Sequence, residues 1–194
     1  MSEPMGDAEL MLRVQEGQLA CFDELVCRYR VPLTRVALSK TGDAGRAEDI
    51  VQETFLAVYA SRQSFNPKFA FRTWLWTILL NLCRRDYRKR SRTPRVLPHT
   101  TVNATASETY STPVSLETGL THVLQVEQGE LVAKLLNELP EVQADAIRLR
   151  FYGALTYREI AEAMKSSEIG AKVRVKKGLQ NLAERLRTES GETK

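Results

Sequence analysis

LTYREIAEAMKSSEIGAKVRVKKGLQNLAERLR, residues 155–187, carries two amphipathic segments separated by a Lys-Ser-Ser turn. Thr156 and Glu159 stand at capping-box spacing. The Thr156 side chain is expected to hold the Glu159 amide while Glu159 reaches back, fixing a helix start. After Met164 the second segment repeats apolar residues at helical spacing: Ile169, Val173 or Val175, Leu179, Leu182 and Leu186. Between residues 172 and 187 it holds six basic side chains (Lys172, Arg174, Lys176, Lys177, Arg185, Arg187) against the acid Glu184. A short capped helix, a tight turn and a basic second helix outline a helix-turn-helix.

Upstream of that unit, LVAKLLNELPEVQADAIRLRFYG gives a helix to Leu139, a restart marked by Pro140, and a second helix closing near Gly153. Before it the composition changes abruptly. Pro94, Pro98, Pro113 and many Ser and Thr fill a stretch of roughly thirty residues, longer than a compact domain tolerates as loop. On its far side helical periodicity returns. Asp7 to Tyr29 has apolar residues at Leu10, Val14, Phe22, Leu25 and Val26, with Gly17 interrupting. Arg46 to Ala60 repeats Ile50, Val51, Thr54, Phe55 and Val58, and Asn66-Pro67 marks a break before a long helix. The predicted fold is all-α: two small helical domains, 1–92 and 125–194, joined by a flexible linker, 93–124, the second domain a helix-turn-helix.

The 194 residues suffice for one or two modest cores, and 43% apolar with 27% charged residues fits a globular chain. Net charge is only +4, but it is unevenly spread. Residues 84–95 hold seven basic side chains (Arg84, Arg85, Arg88, Lys89, Arg90, Arg92, Arg95) against Asp86, whereas Asp43, Glu48, Asp49 and Glu53 face a lone Arg46. No Lys or Arg occurs from Val96 to Gly129. Two basic patches and one acidic patch predict two polyanion contacts and a different, basic partner. The opening MSEPMGDAEL does not read as a signal peptide, and Trp74–Cys83 is half of what a lipid-spanning helix needs, so no membrane contact is expected. Cys21, Cys27 and Cys83 lack disulfide or metal spacing, and His99 and His122 stand alone, which predicts a cytoplasmic protein without a metal or cofactor.

FRTWLWTILLNLCRRDYRKRSR, residues 71–92, joins an apolar run to a crowd of arginines. At a hundred degrees per residue Leu75, Ile78, Leu79 and Leu82 share one broad side, extended by Trp76, Leu80 and Cys83. Thr77, Asn81, Arg84 and Arg88 gather opposite, with Trp74 at the border beside Arg85. That ribbon has the chemistry single-stranded nucleic acid needs: cations for phosphates, an amide for a base edge, an indole for stacking. The plainer alternative makes both tryptophans core and the arginines a solvated helix end. In AEDIVQETF, Asp49, Gln52 and Glu53 share a helix side with Glu48 nearby. Three readings stay open there: a solvated face, a docking surface for a basic protein, or Mg²⁺ ligands of a nuclease built on Glu48, Asp49 and Glu53.

In this order the segments resemble the extracytoplasmic-function sigma factors of the bacterial sigma-70 family, over nearly the whole chain. DAELMLRVQEGQLACFDELVCRY is similar to the family's opening helix, with Gly17, Cys21, Phe22 and Leu25 in its pattern and Cys in place of Ala. AEDIVQETFLAVY resembles its polymerase-binding segment, FRTWLWTILLNLCRRDYRKR its promoter-melting helix, and LNELPEVQADAIRLRFYGALTYREIAEAM the start of its −35-reading domain. The resemblance implies a non-enzymatic sigma factor that binds core RNA polymerase and promoter DNA. Glu48, Asp49, Gln52 and Glu53 would dock on polymerase, and Trp74, Thr77, Asn81, Arg84, Arg85 and Arg88 would take the single-stranded −10 element. Ser167, Lys172, Val173, Arg174, Lys176 and Lys177 would meet the −35 duplex, and an anti-sigma factor would be a further partner. The linker would thread polymerase near its RNA exit path.

One region departs from the pattern: Lys165 replaces the family's turn Gly, Ser166 an apolar residue, and Ile169-Gly170-Ala171 a Gly-Thr-Val. A non-Gly residue is costly there if the turn needs positive φ, and Gly170 costs nearly 1 kcal/mol relative to Ala inside a helix. The rival from the binding modules is a free-standing helix-turn-helix regulator, which leaves the acidic patch and the Trp/Arg ribbon without purpose.

Overall fold

The computed structural model describes residues 5–92, 129 and 131–189. The linker expected over 93–124, with His99 and His122, lies outside the described residues. Among those described, every regular element is a helix, and no helix is long and apolar enough to cross a membrane. Helices α1 (Asp7–Gln15) and α2 (Leu19–Thr41) divide at Gly17, whose φ of +95° only glycine adopts without strain. Asp43 then starts α3 (Ala44–Ala60) by accepting the Arg46 amide at 3.0 Å. A 3₁₀ turn (Arg62–Ser64) and the Asn66-Pro67 break lead to α4 (Phe71–Arg92). Leu10, Leu25, Leu33, Val36, Ile50, Val58, Leu75 and Leu79 close the core between them.

The second half contains α5 (residues 131–137), α6 (Glu141–Phe151) after Pro140, α7 (Tyr157–Ala163) and α8 (Glu168–Glu189). The capping box forms as read: Thr156 Oγ1 accepts the Glu159 amide at 3.3 Å and the Glu159 carboxylate accepts the Thr156 amide at 2.7 Å. Lys165 closes α7 at φ +50°, so the turn does require the left-handed conformation, and a lysine carries it. In α8 the expected inward face is corrected. Ala171, Val175 and Leu182 are buried, whereas Ile169, Val173 and Leu179 are exposed. The cause is Gly178, where a Cβ would meet Ile147 Cδ1 at 2.7 Å. Only a glycine lets α8 come this close to α6, and that approach fixes which way the helix is rotated.

The two halves are not joined by the linker alone. One contiguous buried cluster runs from Leu10 through Trp76 to Leu149, Ile160 and Val175. A Cβ at Gly153 would lie 3.0 Å from Trp76 Cζ2, so the backbone after α6 rests directly on the indole. Arg72 donates to the carbonyls of Gly153 and Ala154 at 2.5 and 3.0 Å, and the Thr73 hydroxyl donates to Glu162 at 3.2 Å. Beside this seam lies a charged cluster. Asp145, fully buried, accepts from Lys40 Nζ at 2.5 Å, with guanidinium nitrogens of Arg148 and Arg84 at 3.5 and 3.6 Å. Arg148, equally removed from water, donates to the Ser39 hydroxyl and carbonyl, each at 3.0 Å. Burial pulls its guanidinium below the ordinary arginine range, and Asp145 opposes that pull.

Candidate functional site

Helix α4 is packed on two sides. Leu75 and Leu79 are buried in the first domain's core, and Trp76 meets the second domain. Trp76, on the apolar side of the helix in the sequence, is core to both halves. What remains outward is a narrow strip of Trp74, Thr77, Asn81, Arg85 and Arg88. Trp74 is half-buried, its ring tilted 5.4 Å from that of Phe65 and 6.1 Å from that of Phe71, which holds the indole in one orientation. Asn81 and Arg88 are exposed, and the Thr77 hydroxyl donates to the Thr73 carbonyl at 2.8 Å. Arg84 leaves the strip: it turns along the edge of α4 to Asp145 and to Glu141, 3.5 Å away. Sequence spacing could not reveal this, because its acceptors lie more than fifty residues downstream. Next to it Cys83 is buried, and that burial pushes its thiol up to about 11, whereas Cys27 is exposed.

The acidic side of α3 is split. Asp49 and Gln52 are exposed, Glu48 lies 3.5 Å from Arg30, and Glu53 is hydrogen-bonded by Arg85 of α4. The carboxylates therefore do not converge as a metal site needs. Beside Asp49 and Gln52 the structure adds a feature the sequence reading missed: an apolar groove of about 630 Å³ between α2 and α3. Leu19, Phe22, Val26, Phe55, Leu56 and Tyr59 line it, and Leu56 is 62% exposed. No single stretch of sequence carries it, because only the crossing of α2 and α3 brings its lining together.

On α8 the basic residues divide likewise. Lys172, Val173, Lys176 and Lys177 face outward, while Arg174 sits half-buried on the flank. Ser167 caps the helix, its Oγ accepting the Gly170 amide at 3.1 Å. The structure thus presents three separate surfaces: an aromatic-edged basic strip, an acid-rimmed apolar groove, and a lysine-bearing helix of a helix-turn-helix.

Residues 25–93 match the Sigma-70 region 2 family and residues 129–182 the Sigma-70 region 4 family. The ECF RNA polymerase sigma-E factor of Haemophilus influenzae is 32% identical over 167 residues, covering 84% of this chain and 86% of the relative. The chain belongs to the extracytoplasmic-function sigma factors. The sigma-E factor of Escherichia coli is equally similar, 32% identical over 84% of this chain and 85% of its own length. Among solved structures, CnrH in complex with the cytosolic domain of CnrY shares this sigma factor's fold, with TM-score 0.70 and 23% identity over 94% of this chain and 97% of that one. The sigma factor RpoE of Bartonella quintana, solved with the anti-sigma factor NepR, matches with TM-score 0.63 and 25% identity over 86% and 96%. The protein is therefore an RNA polymerase sigma factor acting in promoter-specific transcription initiation, a member of a regulatory family, and the free-standing regulator is set aside.

Proposed function

We propose that this sigma factor binds core RNA polymerase through α3 and the neighbouring groove, and promoter DNA through α4 and α8. The observation that carries the reading is the pairing of opposite chemistries on adjacent helices of one domain. Acid beside an exposed apolar groove suits an amphipathic basic helix of a protein and would repel DNA. Asp49, Gln52 and Glu48 form the rim, and Glu53 adds its charge while holding Arg85. On α4, Trp74 stacks on an unpaired base of the −10 strand, Asn81 bonds a base edge, and Arg88, with Arg85 once it is released from Glu53, neutralises phosphates, Thr77 filling the strip between them. Arg84 joins them once it is released from Asp145. On α8, Lys172, Arg174, Lys176 and Lys177 bind the −35 duplex backbone, Val173 faces the groove, and the Ser167 hydroxyl donates to a phosphate.

Residues 1–92 form the region 2-like domain, 93–124 the linker and 125–194 the region 4-like domain. The chain works in the cytoplasm with no chemistry or cofactor of its own. An anti-sigma factor that holds the halves together fits their observed contact. The test is co-purification with core polymerase followed by run-off transcription. Asp49→Lys, which disturbs no ion pair among the described residues, should abolish co-purification. Trp74→Ala and Asn81→Ala should retain polymerase but lose permanganate reactivity of the opened strand. Unaltered association of Asp49→Lys, or unaltered footprints, would overturn the reading.

A further inference from the structure

The outward face of α8 carries an apolar pair that the lysine contacts above leave unexplained. Its buried stripe is Ala171, Val175, Gly178 and Leu182, packed on α6 and α7. Directly opposite, at i, i+4, i+7 and i+11, lie Ile169, Val173, Lys176 and Gln180. Ile169 is 77% exposed and Val173 44% exposed, one helical turn apart on that crest. Both are β-branched, which α-helices disfavour, and both leave apolar surface in water. The exposed Lys172 and Lys177 flank the crest on either side.

Two branched aliphatic side chains between lysines complement one surface closely: the major groove of duplex DNA. Phosphates run along both of its edges, and the C5 methyl of thymine is the one apolar group on its floor. A protein partner fits poorly. The apolar area is two side chains, far below the roughly 800 Å² that each side of a stable interface buries, and lysine is depleted at such interfaces. We propose that Ile169 and Val173 determine −35 specificity by contacting thymine methyl groups, Lys172, Lys176 and Lys177 holding the backbone while the crest reads the floor. The inference rests on the assignment of α8 to the −35 duplex. It also gives a role to Ile169 where the family pattern has Gly: the substitution adds a reading side chain at the tip of the helix.

The test uses holoenzyme reconstituted from core polymerase and the full chain, with a promoter library randomised over the −35 duplex. Each enriched thymine is then replaced by deoxyuridine, which removes only the methyl group. At one or two positions the wild-type holoenzyme should bind deoxyuridine DNA about fourfold more weakly, the worth of one buried methyl. Holoenzyme carrying Ile169→Ala or Val173→Ala should show a thymine-to-deoxyuridine ratio near one at the matching position. Both residues are exposed, so an unchanged melting temperature verifies that the variants fold. Indifference to deoxyuridine at every position, an unchanged ratio in both variants, or enrichment of thymine-free sites would overturn the inference while leaving polymerase and −35 binding intact. Absence of any −35 enrichment by the assembled holoenzyme would instead bring down the assignment of α8 itself and this inference with it.

Discussion

Removing the Asp145 carboxylate should part the two domains before it unfolds either. Asp145→Ala leaves Lys40, Arg84 and Arg148 facing one another with Arg148 still 2% exposed. Leaving a buried charge without its partner costs about 3–5 kcal/mol. Lys40 and Arg84 belong to the first domain and Asp145 and Arg148 to the second, so separation rehydrates all three cations at once. The docking equilibrium should therefore shift toward the open form by roughly a hundred- to several-thousand-fold. Energy transfer reads this directly, with dyes on the exposed Cys27 of α2 and on Ala183→Cys of α8 in a Cys21→Ser background. The wild type should give one high-transfer population and Asp145→Ala a broad low-transfer one, with the helical signal retained. Replacing the whole cluster by apolar residues of similar volume (Lys40→Met, Arg84→Met, Asp145→Leu, Arg148→Met) should restore high transfer. Wild-type transfer in Asp145→Ala would refute the reasoning, as would a lowered melting temperature at unchanged distance, which would place the cost inside one domain.

Lys165→Gly should raise the unfolding free energy by about 0.5–1 kcal/mol in denaturant titration, since an L-residue in the left-handed region costs roughly 1–2 kcal/mol and glycine gives part of that back as unfolded-chain entropy. Thr156→Ala should lower it by about 1 kcal/mol through loss of the α7 cap, and Thr156→Ser should recover most of that. With a thiol reagent at pH 8, Cys27 should react within the native protein. Cys83, whose thiol is raised to about 11, should react only on unfolding or as the pH approaches that value. Because the folded value lies above the usual one near 9, the thiol's contribution is complete below pH 9 and is lost between pH 9 and 11, and stability curves of wild type and Cys83→Ala should converge there.

The local grammar of the chain was legible wherever one residue type has one conformational use. Gly17 divided α1 from α2, Pro140 restarted the chain, and the Thr156–Glu159 spacing gave a formed capping box. Helix rotation was harder where apolar residues occur all round. On α8 the pattern admitted Val173 or Val175, and only the close approach of Gly178 to Ile147 decides for Val175. The interdomain seam was not legible at all. Ser39, Lys40, Arg84, Asp145 and Arg148 are polar residues scattered along the chain, and polar burial leaves no periodic trace. Arg84 therefore read as part of the α4 strip although its guanidinium is turned to Asp145. The groove beside Asp49 was hidden for the same reason, being a product of helix crossing and of no single stretch.

Gly153 resting on Trp76 makes the closed form demanding in both directions. A methyl at residue 153 would meet the Leu149 carbonyl and Leu155 of its own half at 2.8 Å and Trp76 across the seam at 3.0 Å, so the backbone there tolerates no side chain. Conversely, once they part, the Trp76 indole loses its cover on the Gly153 side and meets solvent there. A chain so built has little incentive to gape on its own. Whatever separates its halves must bring along a replacement lining.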